Sequence, residues 1–383
     1  MATTLQVAAA AQPSDQVWPA ARAFVLTLGL RIFYSIFAAV ASPDLRLDPK
    51  LISGNSFTGD LISRDLHPAL YALLGVWERF DTLWYIRIAR HGYDLPAATV
   101  FYPLYPTLIR LLSSGPGTGL AAALFISTTA TFFLFWGALR LFELDYPPAE
   151  ASRAVLLWVV WPAAFVFFAG YPDSLMCALT IWSLYFARSR RWIFAGTLGM
   201  LAGSTKALGC LCAIPLLWLM WRQRDRRGIL APLLSVIGTA SFQIWLALRH
   251  FPPVAGTYKT YWATSTVAPW TTLCDVISSL AHGVDRLLLL NIAILSITAL
   301  AAFLGPVRLD YKLYAAAAVC LFLAKHTQPL LQSTTRYSLA LFASFPALST
   351  KLGRNTGFAS VLIVSAIVNL FLFRTFLDWG LAI

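Results

Sequence analysis

In the stretch Glu78 to Tyr93, Asp81 sits close in sequence to Arg87, Arg90, His91 and the rings of Trp84 and Tyr85. Further aromatics follow in Phe101-Tyr102-Pro103-Leu104-Tyr105-Pro106. A positioned carboxylate can take the proton from a hydroxyl nucleophile, and nearby cations can hold a departing phosphate. Transfer of a sugar from a lipid phosphate needs both. Asp81 is the candidate base, and Arg87, Arg90 and His91 are the phosphate-side candidates. Trp84, Tyr85, Tyr102 and Tyr105 are candidate pocket walls, because ring faces stack on sugars and lipid tails. A plainer assignment uses the same residues, with Asp81 as a helix N-cap and the arginines as headgroup contacts.

The element that must position these groups is a short helix over Phe80 to His91, with Asp81 at or near its start. Phe80, Trp84, Ile88 and His91 share one stripe by their three- and four-residue spacing, Arg87 and Arg90 another. Gly92 is a natural stop. Three more polar points interrupt apolar sequence: Tyr171-Pro172-Asp173, Lys206, and Arg336-Tyr337, the last near His326 and Gln328. Ionisable groups beside a membrane core are costly and call for a partner or a task. Asp173 and Lys206 suit either a helix-end or a site role. Arg336 is the stronger phosphate candidate.

The chain is 58% hydrophobic and 12% charged, with a mean hydropathy of +0.69, which excludes an ordinary soluble globule. Its net charge of +12 would suggest nucleic acid in a soluble protein. Here the basic residues cluster between apolar runs, as in cytoplasmic loops of membrane proteins, and no nucleic-acid partner is expected. Residues 1–21 carry no basic stretch ahead of an apolar core, so no secretory signal is expected there. The five cysteines indicate neither a disulfide framework nor a zinc site. No Asp-x-Asp pair occurs, and a monophosphate held by Arg and Lys needs no metal, so neither metal nor cofactor is expected.

Uncharged runs near 20–42, 118–139, 154–171, 174–187, 192–205, 207–221, 229–248, 287–305, 313–324, 337–350 and 356–373 predict an all-α polytopic bundle of about 11 transmembrane helices. The chain reads as one domain over 1–383, with a large first external loop at 43–117. Threading from an inside N-terminus puts Arg188-Arg190-Arg191, Arg222-Arg224-Arg226-Arg227, Arg308-Lys312 and Lys351-Arg354 on the cytoplasmic side. Residues 43–117, 171–173, 249–286 and 325–336 then lie outside, and with them Asp81, Asp173, Lys206 and Arg336.

Four stretches together carry a resemblance. The first runs from Arg79, Asp81, Tyr85, Ile88, Ala89, Gly92 and Tyr93 to Phe101, Pro103 and Pro106; the second spans Pro162 to Leu175; the third is Thr205-Lys206-Ala207-Leu208-Gly209; the fourth runs from Thr335 to Ala343. In this order they resemble the multispanning mannosyltransferases related to the PIG-V enzyme of glycosylphosphatidylinositol synthesis, members of the GT-C glycosyltransferase superfamily. The chain departs from the family pattern at Phe80 (tryptophan), Ala164 (serine), Asp173 (glutamate), Lys206 (arginine), and Thr335 and Ala343 (prolines). The resemblance implies a GT-C bundle, a polyprenyl- or dolichyl-phosphate-linked sugar donor, a lipid or glycolipid acceptor and an inverting mechanism, with mannose the first choice of sugar. At the positions that match the family pattern, the resemblance keeps Asp81 as the base, adds Lys206 and Arg336 to Arg87, Arg90 and His91 as phosphate-side candidates, and adds Tyr171, Asp173 and Tyr337 as pocket candidates.

A transporter or flippase of a lipid-linked sugar would share the helices and the buried charges, but would not need a base at Asp81. A non-catalytic scaffold gives no reason for charges to converge on one face. The absence of any Asn-x-Ser/Thr sequon favours a bacterial plasma membrane over the endoplasmic reticulum. The threading has a direct test. Tags at Arg190 and Arg224 are expected to be protected in right-side-out vesicles, and tags at Ser56 and Thr264 accessible; protection of Ser56 together with Arg224 would overturn it.

Overall fold

The computed structural model describes residues 13–46, 62–115, 117–283, 285–353 and 356–380. Much of the sequence-predicted first loop is therefore seen, whereas Ser56, Arg354 and residues 1–12 of the expected leaderless N-terminus lie outside the described residues. Every apolar run named above is helical over most of its length. Among the described residues five helices are long and apolar enough to cross a membrane: Trp18–Asp44, Thr118–Phe142, Arg226–Leu248, Arg286–Leu304 and Thr356–Leu377. Helix Thr118–Phe142 is the central one, with 56% of its most apolar stretch buried against 22–33% in the other four.

Two runs expected as single helices are broken. Run 154–171 divides into Pro148–Val159 and the 3-10 turn Ala164–Phe168, and run 337–350 into the short helix Thr334–Tyr337, a 3-10 turn and Ser344–Leu352. The first break falls at Pro162, whose ring cannot follow a helical carbonyl, and at Ala163, with φ of 68°. Apolarity alone does not reveal such breaks, because the broken segments are as buried as the helices. Phe165, Phe167, Phe168 and Phe342 are all fully buried.

Small residues set the closest helix crossing. On Trp192–Thr205, Gly196, Gly199 and Gly203 share one face, and they meet Ala231, Ser235 and Thr239 of Leu230–Leu248. A Cβ on Gly238 would lie 2.0 Å from the Met200 carbonyl oxygen, so the two backbones touch there. Hydroxyls then bond across the contact: Ser204 donates to the Gly238 carbonyl at 3.1 Å and Thr239 to the Gly203 carbonyl at 3.0 Å.

Charge separates to the two ends of the bundle. Helix Asp173–Arg188, about 24 Å long at the α-helical rise, has its acid at one end and its arginine at the other. Arg188 grips Asp145 with both terminal nitrogens, at 2.8 and 2.9 Å, and Tyr311 donates to the same carboxylate at 3.1 Å. Arg308 bonds Asp310 at 3.0 Å, and the Trp192 indole donates to Asp225 at 2.8 Å. The basic loops at 188–191, 224–227 and 308–312 thus gather at one end, and Asp81, Lys206 and Arg336 lie with Asp173 at the other.

The glycine crossing yields a stability test. Gly238→Leu is expected to cost at least the roughly 1–3 kcal/mol typical of overpacking, read as a lower melting temperature in detergent micelles. Val236→Leu, on the exposed side of the same helix, is expected to melt as wild type does. Equal melting of the two variants would mean that the crossing tolerates a side chain.

Candidate active site

The Asp81 segment is docked on its neighbours at both sides of its start. Arg79 is buried and donates to the Leu377 carbonyl at 2.8 Å and to the Tyr71 hydroxyl at 3.1 Å, while its guanidinium lies 4.8 Å from the centroid of the Trp379 ring. This fastens the start of helix Asp81–His91 to the last long helix. On the next face Gly170 lets the turn before Asp173 press on that helix, since a Cβ there would come within 2.6 Å of the Thr82 methyl. Phe80 is the N-cap, with φ of 46°, a strained region for a residue with a side chain, and its ring packs on Phe376 and Trp379. Asp81 is the first helical residue, and its carboxylate turns to a partner elsewhere in the chain.

That partner is Arg336. Its Nη1 donates to Asp81 Oδ2 at 2.5 Å, and its Nε and Nη2 donate to Asp173 Oδ2 at 2.9 and 2.6 Å. Lys206 Nζ donates to the other Asp173 oxygen at 2.8 Å. Two carboxylates and two cations therefore form one linked group. The Arg336 and Asp173 side chains are only 4% and 5% exposed, against 23% for Asp81, so the group runs from the interior towards open space at Asp81. The Tyr171 ring supports the guanidinium at 4.3 Å. Burial by itself would pull the Arg336 guanidinium down, but Asp173 and Asp81 outweigh it and hold the guanidinium firmly charged.

Lys206 reaches this position through a tight turn. Helix Trp192–Thr205 ends at Lys206 in an extended conformation, and Gly209 follows so closely that a Cβ would sit 2.1 Å from the Ala202 carbonyl oxygen. Arg336 belongs to the four-residue helix Thr334–Tyr337, which begins after Ser333, with φ of 65°. Asn291 accepts from both the Thr335 amide, at 3.2 Å, and the Thr335 hydroxyl, at 2.6 Å, and so anchors that short helix.

Asp81 opens onto a cavity of about 590 Å³. Phe80, Trp84, Tyr85, Phe101, Tyr102, Tyr258, Trp262 and Tyr337 supply its aromatic walls, and Lys206, Lys325 and Arg336 its cations. Trp84 stacks on Phe101 at 5.5 Å, with Trp262 against both. Burial pushes the Tyr85 phenol up and Tyr102 up to about 12, so both hold their protons at neutral pH, and Asp81 is the carboxylate that lines the cavity beside them.

The other sequence candidates are placed differently. Asp173 and Tyr171 lie behind Arg336, buried and outside the cavity lining. Tyr105 is buried as well; its hydroxyl donates to the Ala123 carbonyl at 3.0 Å. Arg87 pairs with Asp94 at 2.6 Å, and Arg90 and His91 are exposed; none of the three lines the cavity. His326 bonds Asp275 at 2.9 Å, also outside the lining. Sequence reading missed Lys325, Tyr258, Trp262 and Gln243. For Lys325 a signal existed: a lysine closing an apolar run at the end opposite the basic loops.

No family model matches this chain, and no solved structure does. Over 197 residues, 48% of its length, it is 26% identical to the GPI alpha-1,6-mannosyltransferase 2 of Rattus norvegicus. The match spans 38% of that relative's length. Likeness to a mannosyltransferase and five membrane-length apolar helices mark an integral membrane protein with glycosyltransferase-like sequence.

The ion network makes its own prediction. Arg336→Ala strands two carboxylates, one of them deeply buried, and is expected to cost roughly 3–5 kcal/mol, the scale of a broken buried pair. The double variant Arg336→Ala with Asp173→Ala is expected to cost clearly less than the sum of the two single variants. Additive losses in chemical or thermal unfolding would show that the residues do not depend on one another.

Proposed function

We propose that this protein is a GT-C-type glycosyltransferase that moves a sugar, with mannose the first choice, from a polyprenyl- or dolichyl-phosphate donor to a lipid or glycolipid acceptor at the non-cytoplasmic membrane face. One observation carries this reading. Asp81, from the first loop, meets Arg336, 255 residues later, at the wall of an aromatic cavity that also holds lysines. A structural cap would not need a distant arginine or an opening.

The chemistry follows from the charges. The acceptor hydroxyl gives its proton to Asp81 as its oxygen forms a bond to the anomeric carbon. The bond from that carbon to the phosphate oxygen breaks on the opposite face, which inverts the centre, and its electron pair leaves with the phosphate. Arg336 holds Asp81 in position through a charge-assisted hydrogen bond, and with Lys206 it presents positive charge on the same wall. The aromatic side chains suit the flat, apolar surfaces of a sugar ring and a prenyl chain. Asp173, between Lys206 and Arg336, fixes the spacing of the two cations.

The test is Asp81→Asn, assayed with purified protein, radiolabelled mannosyl-phosphoryl-polyprenol and extracted membrane lipids. Asparagine keeps the shape and a hydrogen-bond acceptor for Arg336 but cannot take the proton. Because Arg336 keeps its two contacts to Asp173, the melting temperature is expected to change little, while turnover falls by roughly 10²-fold to 10⁴-fold. Near-normal turnover, or a loss that only tracks lost folded protein, would remove Asp81 as the base.

A further inference from the structure

Not all the positive charge on the cavity wall is compensated. Arg336 and Lys206 are matched by Asp81 and Asp173, two cations against two carboxylates. Lys325 lines the same cavity, and among the described residues no carboxylate lies within ion-pairing distance of it. Its Nζ donates to the Tyr337 hydroxyl at 2.8 Å and lies 4.9 Å from the ring centroids of both Tyr258 and Tyr337. Phenol rings and a phenol oxygen stabilise an ammonium without neutralising it. The wall therefore keeps about one positive charge at this point.

The fold holds Lys325 there. It opens the strand Lys325–Thr327, which pairs antiparallel with Thr264–Thr266, with Lys325 opposite Thr266. Tyr258 comes from the loop helix Val254–Tyr261 and Tyr337 from the Arg336 helix, so two separate segments enclose the ammonium. Phe322 stacks on the Tyr337 ring at 5.5 Å. Tyr337 accepts the lysine hydrogen, which leaves its own hydrogen to be donated onward. An ammonium and a phenol hydrogen side by side suit an oxyanion.

We infer that Lys325 and Tyr337 form the phosphate anchor of the cavity, a site for the single negative charge of a lipid phosphodiester, with Arg336 and Lys206 serving mainly to hold Asp81 and Asp173. This rests on the lipid-phosphate donor proposed above and adds the residues that carry its charge. Burial alone would pull the Lys325 ammonium down, but electrostatic attraction from Tyr337 and Tyr258, the Tyr337 hydrogen bond and the more distant Asp81 outweigh that, and the net shift is upward. Removal of the sugar raises the charge on the phosphate. The same anchor then holds the spent lipid phosphate more tightly than the donor.

Binding separates this from the base assignment, because it is read without transfer. The full-length protein in detergent is titrated with farnesyl phosphate and, separately, with farnesol, by native mass spectrometry. Wild type is expected to prefer the phosphate. Lys325→Met, which keeps the stem between the two rings, is expected to lower affinity for farnesyl phosphate by roughly 10-fold or more and leave farnesol unchanged, since only the charge-assisted contact is lost. Lys325→Arg should recover part of the difference, and Lys325→Gln serves where the methionine variant folds poorly. Wild-type affinity for farnesyl phosphate in Lys325→Met or Lys325→Gln, or no preference for phosphate over alcohol in wild type, would overturn the inference. Turnover of Asp81→Asn is judged by its own assay, so either statement can fail alone.

Discussion

Burying an arginine among apolar helices is tolerable only where carboxylates meet it, and the site depends on that requirement at Arg336. Its three bonds to Asp81 and Asp173 link the first loop, the start of helix Asp173–Arg188 and the short helix Thr334–Tyr337; Lys206 adds the end of a fourth segment. Each segment is brought to the meeting point by a device with no chemistry of its own. Arg79 fastens the Asp81 helix to the last helix, Gly170 lets the next turn press on it, and Gly209 permits the tight bend after Lys206. The charges set where those segments must meet, and the glycines and Arg79 let the backbone get there.

The same arrangement decides which groups face the cavity. Asp173 is the more buried of the two carboxylates and bonds both cations, so its oxygens serve the framework. Asp81 has one arginine contact and the greater exposure, which leaves it open to the cavity. Away from water, each of these interactions is stronger than on a surface, and an uncompensated charge has a longer reach. That makes the balance of charges around the cavity as informative as any single residue.

The membrane class and the helical runs were legible because apolarity over twenty residues has few other meanings. The short helix from Asp81 to Gly92 was legible as well, from its stripe and its stop signal. The convergence of Asp81, Asp173, Lys206 and Arg336 at one end followed from charge alternation along the chain, yet their mutual bonding did not, because spacing along a chain does not fix which side chain reaches which. Arg87, Arg90 and His91 show the limit: they are near Asp81 in sequence but lie on other faces of the same helix, and Arg87 has Asp94 as its partner. Lys325 shows the converse. Its importance comes from Tyr258 and Tyr337, which belong to separate segments. The breaks near Pro162 and after Tyr337 were hidden because a buried bend and a buried helix have the same composition.

The long sequence separation between Asp81 and Arg336 carries a consequence for biosynthesis. At ordinary elongation rates, about 5–20 residues per second, roughly 13–50 seconds pass between the synthesis of the two residues. Asp81 for all of that interval, and Asp173 for the later part of it, exist without the arginine that joins them. The early helices must therefore enter the bilayer and pack through contacts such as the small-residue crossing, with the acidic ends waiting at the water boundary. The linked charge group closes as one of the last events of chain maturation, and truncated chains ending before Arg336 lack it altogether.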